Sequence, residues 1–202
     1  GAKLRVTVQL IDVGSGYPLW SERYDRELAD VFAIQDEISD NVVRALKIIL
    51  SDSERRAISR TATSDPQAYD YYLRGLQYFH QGRRKSLRFA LEMFQKAVEV
   101  DPEYALAYTG VANCSSQLVN LFNEPSEEHL GRAERATGRA LELDDALPQA
   151  HAARGVVLFL MNRYDDARVE FERARELDPG LAEASYFWGR SAFQRGELEL
   201  AV

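Results

Sequence analysis

The sequence predicts a mostly α-helical protein, a solenoid of helix-turn-helix repeats preceded by a β-hairpin and a helix from a truncated α/β domain. Three observations carry this. Small residues recur with a 34-residue step interrupted by insertions: Ala90, Ala133, Ala167 and Ala201 are spaced 43, 34 and 34 apart, and Gly75, Ala112, Gly155 and Gly189 are spaced 37, 43 and 34 apart. An amphipathic tail runs into Asp-Pro and a new alanine- and tyrosine-rich start at Pro102 and again at Pro179, with a weaker copy holding Asp145 in the proline's place. Ahead of these, the first two dozen residues alternate apolar and polar with a period of two.

The totals agree with a packed protein. At 202 residues, 46% apolar and 28% charged, the chain has material for a core. A formal charge of −7 argues against general nucleic-acid binding, which needs clustered Lys and Arg. Arg83-Arg84-Lys85 reads as the solvated rim of a turn. No apolar run reaches membrane-spanning length, and the lone Cys114 cannot form an internal disulfide, so a cytoplasmic, reducing setting is expected, without membrane association.

Along the chain, Leu4, Val6, Val8 and Leu10 share one face of a strand and Lys3, Arg5, Thr7 and Gln9 the other. Gly14-Ser15-Gly16 supplies a turn, and Leu19 to Tyr24 return as a second strand. A helix follows, with Asp30 placed to cap it and Val31, Ile34, Ile38, Val42, Ala45 and Ile49 at helical spacing. A short helix and a polar connection lead to Asp65, expected to cap, and Pro66, expected to open the first repeat.

Four repeats are then expected, over 68–104, 105–147, 148–181 and an incomplete 182–202. In the most regular, Gly155 is the small residue at a close helix contact, Ala167 and Phe171 form an A-x3-F pair, and Pro179 ends the second helix. The first repeat has Tyr71, Gly75 and Tyr78, then Ala90, Phe94, Ala97 and Pro102, with three extra residues between its helices. The second has Tyr108, Val111 and Ala112, then Ala133 and Ala140, with nine extra. The fourth has Trp188 and Gly189 and stops just past Ala201. Over roughly two thirds of the chain this resembles the tetratricopeptide repeat, whose 34-residue pattern runs W-x2-L-G-x2-Y, A-x3-F, P. Departures are Arg74 and Arg154 in the leucine's place, Thr137 in the phenylalanine's and Asp145 in the proline's. Asp-Pro is expected to close one helix and open the next, since proline lacks an interior donor yet suits a first turn.

A lone hairpin is marginal in water and the last helix has no stop after Val202, so an excerpt of a longer protein is expected, with residues 1–60 the remnant of one domain and 65–202 the repeats. Leu19 to Asp25 ("LWSERYD") and Ile34 to Ile38 ("IQDEI"), followed by "AYDYYLRG", resemble the junction between a TolB-like region and tetratricopeptide repeats in bacterial signalling proteins. That resemblance implies an upstream class III adenylate or guanylate cyclase domain, or a winged-helix DNA-binding domain, outside these residues.

No constellation of catalytic residues emerges, and no cofactor or metal is expected. Gly14-Ser15-Gly16 sits between strands, which fits a hairpin turn better than a phosphate loop. His80, His129 and His151 lack partners at metal-ligand spacing. Cys114 falls where a small buried residue is wanted, and Asp144-Asp145 and Asp165-Asp166 fall at helix ends, where they cap.

The informative residues lie on the first helix of each repeat, on the face turned to the concave side. In the first repeat these are Tyr69, Tyr72, Leu76, Phe79 and His80; they either anchor a peptide or pack on the preceding helix around Ile38 to Ile49. In the second they are Leu106, Thr109, Asn113, Ser116 and Gln117, polar enough to bond a peptide backbone, and in the fourth Tyr186, Arg190, Phe193 and Gln194. The Lys and Asn pattern with which some tetratricopeptide domains clamp a chaperone's terminal carboxylate is absent. The nine-residue excess is expected to lengthen the first helix of the second repeat, so that Leu118, Val119, Leu121 and Phe122 either protrude toward a partner or are covered by Leu130.

The reading is a non-enzymatic interaction segment of a larger bacterial signalling protein that binds a peptide or protein in its groove or self-associates. The alternative is an intramolecular regulatory segment of a cyclase or winged-helix regulator. The hairpin edge and the unfinished last helix predict a homodimer.

Overall fold

A computed structural model of the chain describes residues 3–27, 31–46 and 63–194. They fall into two compact units, Gly1–Pro66 and Gln67–Val202. In the first unit β1 (Lys3–Ile11) pairs antiparallel with β2 (Pro18–Glu27), placing Val6 opposite Tyr24 and Leu10 opposite Trp20, with a bulge between Leu10 and Ile11. Leu4, Val6, Val8 and Leu10 are half-buried and the intervening residues exposed, as the alternation predicts. On β2 the inward residues are Trp20 and Tyr24, while Leu19 is exposed.

The turn is held by Asp12: its carboxylate accepts from the Ser15 backbone at 2.7 Å and the Ser15 hydroxyl at 2.6 Å, and its carbonyl accepts from Gly16 N at 2.8 Å. Gly16 sits at φ +72°, a conformation that favours glycine. Helix α1 (Val31–Ala45) packs on β2 with Ile34 buried. There Asn41 Nδ2 donates to the Tyr24 hydroxyl at 2.9 Å and to Glu22 at 3.0 Å. Asp30, Ile49 and the short helix expected after α1 lie outside the described residues.

The second unit is a row of helix pairs: α2 (Pro66–Phe79) with α3 (Arg84–Val100), α4 (Ala105–Phe122) with α5 (Ser126–Leu143), α6 (Pro148–Leu160) with α7 (Tyr164–Leu177), and then α8 (Ala182–Gln194). First helices also touch the first helix of the next pair, α4 on α6 and α6 on α8. This nearest-neighbour stacking is how each pair covers an apolar face it cannot bury alone.

The landmarks explain the contacts. A Cβ on Gly75 of α2 would lie 2.6 Å from the Phe94 ring of α3, and one on Gly155 of α6 would lie 2.4 Å from the Phe171 ring of α7. These glycines therefore occupy the same place in two hairpins, each pressed against the phenylalanine four residues after the alanine landmark. Phe94 is clasped from its other side by Gly110 of α4, whose added Cβ would also fall 2.6 Å from the ring. In the second repeat the corresponding residues are Ala112 and Thr137, both fully buried, so a larger residue on the first helix is matched by a smaller one on the second. The Thr137 hydroxyl donates to the Glu134 carbonyl at 3.1 Å, which satisfies it in the core. Gly189 lies on α8, and Ala201 lies outside the described residues.

The recurring Asp-Pro phrase works through its aspartate. Asp101, Asp144 and Asp178 each cap the second helix of a pair, the backbone N–H donating to Ala97, Ala140 and Ala174 at 2.9 Å. Each carboxylate then accepts from the backbone two residues on, at Glu103, Ala146 and Gly180. The residue three on, Tyr104, Leu147 or Leu181, donates back to the aspartate's carbonyl. Pro102 and Pro179 thus sit at the second position of a four-residue turn, where a fixed φ fits, and the next helices begin only at Ala105 and Ala182. The expectation that this proline opens the next helix is corrected, and Asp145 can replace it because the capping carboxylate belongs to the preceding residue. Pro66 and Pro148 do stand at the first position of α2 and α6.

The nine-residue excess is also placed differently. Compared with the 13-residue α6 and 14-residue α7, α4 and α5 have 18 residues each, so both helices grow while the three-residue turn between them stays the same. Leu118 is fully buried, Phe122 packs on the main core and Leu130 is buried, leaving Leu121 the exposed member of the expected protrusion.

Candidate peptide-binding cavity

The first helices of the second and third pairs, together with α8, line a cavity of about 220 Å³. Asn113, Ser116, Gln117, Asn120 and Leu121 come from α4, Val156 from α6, and Tyr186, Phe187 and Arg190 from α8. Helical spacing puts the α4 residues there: Asn113, Ser116, Gln117 and Asn120 fall on successive turns of one face. The opposite face of α4 carries Val111, Cys114 and Leu118 into the core.

The cavity combines unsatisfied polarity with one cation. Ser116 is 2% exposed and its hydroxyl has no hydrogen-bond partner among the described residues. Leaving a buried hydroxyl unpaired costs about 1–3 kcal/mol. Arg190 makes no ion pair among the described residues. Its guanidinium lies against three rings, 5.3 Å from the Phe159 centroid, 5.5 Å from Phe187 and 5.8 Å from Tyr186. Those faces hold the planar cation without neutralising it. Among the described residues no acidic side chain lines the cavity.

Of the groove residues expected from sequence, Asn113, Ser116, Gln117, Tyr186 and Arg190 are brought together here. The first-repeat residues lie elsewhere. Tyr72, Leu76 and Phe79 pack against the core around Phe94, and the Tyr72 ring lies 5.6 Å from Phe94 and 5.0 Å from Tyr104. Burial, with the nearby Tyr69 adding to it, pushes the Tyr72 phenol up to about 12. Tyr69 is half-buried, and His80 is exposed with its ring edge-on to Phe79.

Leu106 packs beside Leu147 and Ala150, the buried Thr109 hydroxyl donates to the Leu106 carbonyl at 2.6 Å, and Phe193 is exposed. Asn120, Val156 and Phe187 were not singled out. Asn120 was readable as the next turn of the Asn113 stripe, whereas Val156 and Phe187 enter through the stacking of separate helices.

Two polar clusters also escape the sequence. Glu124, in the turn after α4, is 7% exposed. It accepts from Arg84 Nε at 2.7 Å, Arg88 Nη2 at 2.8 Å and His129 Nε2 at 3.1 Å. Arg84 is therefore a partner of the longer repeat instead of a solvated rim. The Arg132 guanidinium, which can only donate, lies 3.3 Å from His129 Nδ1, so in this arrangement Nδ1 accepts and Nε2 donates to Glu124. The Arg84 hydrogen bond in first place, with Arg88 behind it, holds the Glu124 carboxyl below the usual carboxylate range.

His151 lies between Glu170 Oε2, 2.7 Å from Nδ1, and the Asp145 carbonyl, 2.9 Å from Nε2. Burial pulls its pKa down, but the Glu170 and Asp145 hydrogen bonds outweigh it and the net shift is upward. Burial also pushes the Cys114 thiol up, as fits a packed side chain. Among the described residues no three His, Cys, Asp or Glu are grouped to hold a metal, and no helix is long and apolar enough to cross a membrane.

Comparison with known proteins agrees with this architecture. The tetratricopeptide repeat family model matches residues 148–181. The chain is 34% identical over 166 residues to "Putative adenylate cyclase 3" of Rhizobium meliloti (strain 1021), covering 82% of this chain and 28% of that protein. It is 25% identical over 169 residues to "Transcriptional regulator HilA" of Salmonella typhimurium, covering 84% of this chain and 30% of that one. The chain thus spans less than a third of the length of these curated relatives.

Among solved structures, TTC0263, a thermophilic TPR protein of Thermus thermophilus, superposes with a TM-score of 0.60 at 18% identity, over 84% of this chain and 86% of that one. The first TPR of Spaghetti (RPAP3), bound to an HSP90 peptide, superposes with a TM-score of 0.53 at 22% identity, over 64% of this chain and 96% of that one. The helical unit of this chain therefore has the tetratricopeptide-repeat fold, and its third repeat carries the family's own pattern.

Proposed function

We propose that the chain is a non-catalytic interaction segment of a larger bacterial signalling protein and binds an extended peptide along the first helices of its repeats. The observation that supports it is the cavity between α4, α6 and α8, where Asn113, Gln117 and Asn120 bring amide donors and acceptors beside exposed Tyr186. Tetratricopeptide domains generally mediate protein–protein contacts, and the solved Spaghetti (RPAP3) domain carries an HSP90 peptide. The names of the curated relatives, a cyclase and a transcriptional regulator, support a bacterial signalling setting, and this reading places the chain in the cytoplasm. In this reading the hairpin and α1 are the end of a TolB-like α/β region at residues 1–60, and the repeats occupy 65–202.

Panning a phage-displayed random dodecapeptide library on the 202-residue chain tests the proposal. Enriched peptides should bind the chain in fluorescence polarisation and lose about tenfold or more in affinity on the Asn113→Ala, Gln117→Ala double variant, the value of one or two hydrogen bonds. Failure to enrich, or binding indifferent to that pair, overturns it. Light scattering reads the accompanying proposal of self-association through the hairpin edge or last helix, which a monomer at high concentration overturns.

The likeness to the Rhizobium meliloti protein along 82% of this chain favours one alternative, a segment that regulates its own parent enzyme. Adding the chain in trans to a parent truncated of it should then change cyclase activity, and no change at saturation rejects that alternative.

A further inference from the structure

We infer that the cavity recognises an acidic side chain, Asp or Glu, within the bound peptide, with Arg190 as the residue that selects it. The inference rests on the peptide-binding reading above and adds the chemistry of the anchor.

Among the described residues Arg190 is the cation that lines the cavity, and neither an ion pair nor an acidic lining residue balances it there. In a chain with 32 acidic residues against 25 Lys and Arg, an unpaired half-buried arginine is conspicuous. Most arginines along α3, α5 and α7 do pair: Arg84 and Arg88 with Glu124, Arg132 with Glu128, Arg139 with Glu142, Arg168 with Glu172 and Arg173 with Glu176. The contacts of Arg190 are instead the rings of Phe159, Tyr186 and Phe187 at 5.3 to 5.8 Å, which fix the plane of the guanidinium and strip part of its water. A guanidinium held this way keeps its donors for a bidentate acceptor, and a carboxylate matches that geometry.

The other wall supplies what the rest of the residue needs. Ser116, buried with its hydroxyl unpartnered among the described residues, and the polar residues Asn113, Gln117 and Asn120 line the same space from α4. A space of about 220 Å³ suits one side chain better than a folded element. A single guanidinium balances a carboxylate's one negative charge, whereas phosphate recognition gathers several arginines.

The test uses the peptides enriched on the 202-residue chain, displayed with their C-terminus fused so that no free carboxylate is present, then resynthesised with an amidated C-terminus. The expected result is a shared Asp or Glu whose replacement by Asn or Gln weakens binding about tenfold or more on the wild-type chain and not on Arg190→Gln. Arg190→Lys, which keeps the charge but not the fork, should retain part of the preference. The effect should shrink as salt is added.

Peptides that bind but share no acidic position, or lose equally on wild type and Arg190→Gln, overturn this inference and leave the peptide-binding reading standing. Binding that appears only with a free C-terminal carboxylate also overturns it. No enrichment on either chain overturns the peptide-binding reading and this inference together.

Discussion

Replacing Gly155 by alanine isolates the contact that sets how closely α6 lies against α7. In an unconstrained helix interior the change stabilises by about 1 kcal/mol, because glycine loses more backbone freedom on folding. Here the new Cβ would lie 2.4 Å from Cε1, 2.6 Å from Cδ1 and 2.8 Å from Cζ of Phe171. That ring is fully buried and stacked on Phe187 with centroids 6.2 Å apart, so it has no free space to enter. Carbon–carbon contacts settle at about 3.5–4.0 Å, which forces a shift of about 1 Å between α6 and α7. Overpacking of this kind costs about 1–3 kcal/mol, so the net effect is a destabilisation of about 1 kcal/mol.

A double-mutant cycle with Phe171→Thr separates the two effects, because it gives the third repeat the alanine and threonine found at Ala112 and Thr137. Phe171→Thr alone costs about 3 kcal/mol or more through the cavity it leaves. In that background Gly155→Ala meets no ring and should stabilise by about 1 kcal/mol, a coupling of about 2 kcal/mol. Urea unfolding followed by far-UV circular dichroism reads each corner of the cycle, with an unchanged m-value showing that the same transition is compared. A coupling below about 0.5 kcal/mol, or a Gly155→Ala chain more stable than wild type, refutes the reasoning.

Two further expectations concern the polar clusters. Glu124 has its carboxyl pKa depressed in the folded state, so its stabilisation is present above the unfolded carboxyl value and lost as pH falls through the folded one. Glu124→Gln should cost about 1 kcal/mol at neutral pH, discounted because Arg84 and Arg88 are more than half exposed, and should flatten the acid limb of a Tm-against-pH curve; an unchanged acid limb contradicts this. His151 has its pKa raised, so its stabilisation is complete below the unfolded histidine value near 6.5 and lost as pH rises through the folded value. Tm should therefore fall across that window in wild type and fall less in His151→Gln, and equal slopes reject the Glu170 pairing as the cause.

Much of the repeat was legible because it depends on local geometry. Small residues at a fixed step mark close helix contacts, and Gly75 and Gly155 fall against Phe94 and Phe171. The polar stripe from Asn113 to Gln117 was readable for the same reason, since three- and four-residue spacing fixes which side chains share a face. Less legible was the Asp-Pro phrase, where proline draws the eye while the aspartate carboxylate makes the turn. Tyr72, Leu76 and Phe79 share a face as expected, but the spacing of one helix does not say whether that face meets a partner or Phe94.

By itself the sequence determined the helices, their pairing and the period of the stack, because helix propensity, capping and small-residue contacts act over a few turns of one chain segment. Only the tertiary structure decided that Arg190 of α8, Ser116 of α4 and Val156 of α6 line one cavity, and that Glu124 is shared by Arg84 and Arg88. Those meetings join residues 36 to 74 positions apart through the rotation of one helix pair on the next. That rotation depends on contacts between successive pairs, such as the Phe94 ring against Gly110, and no single segment encodes it.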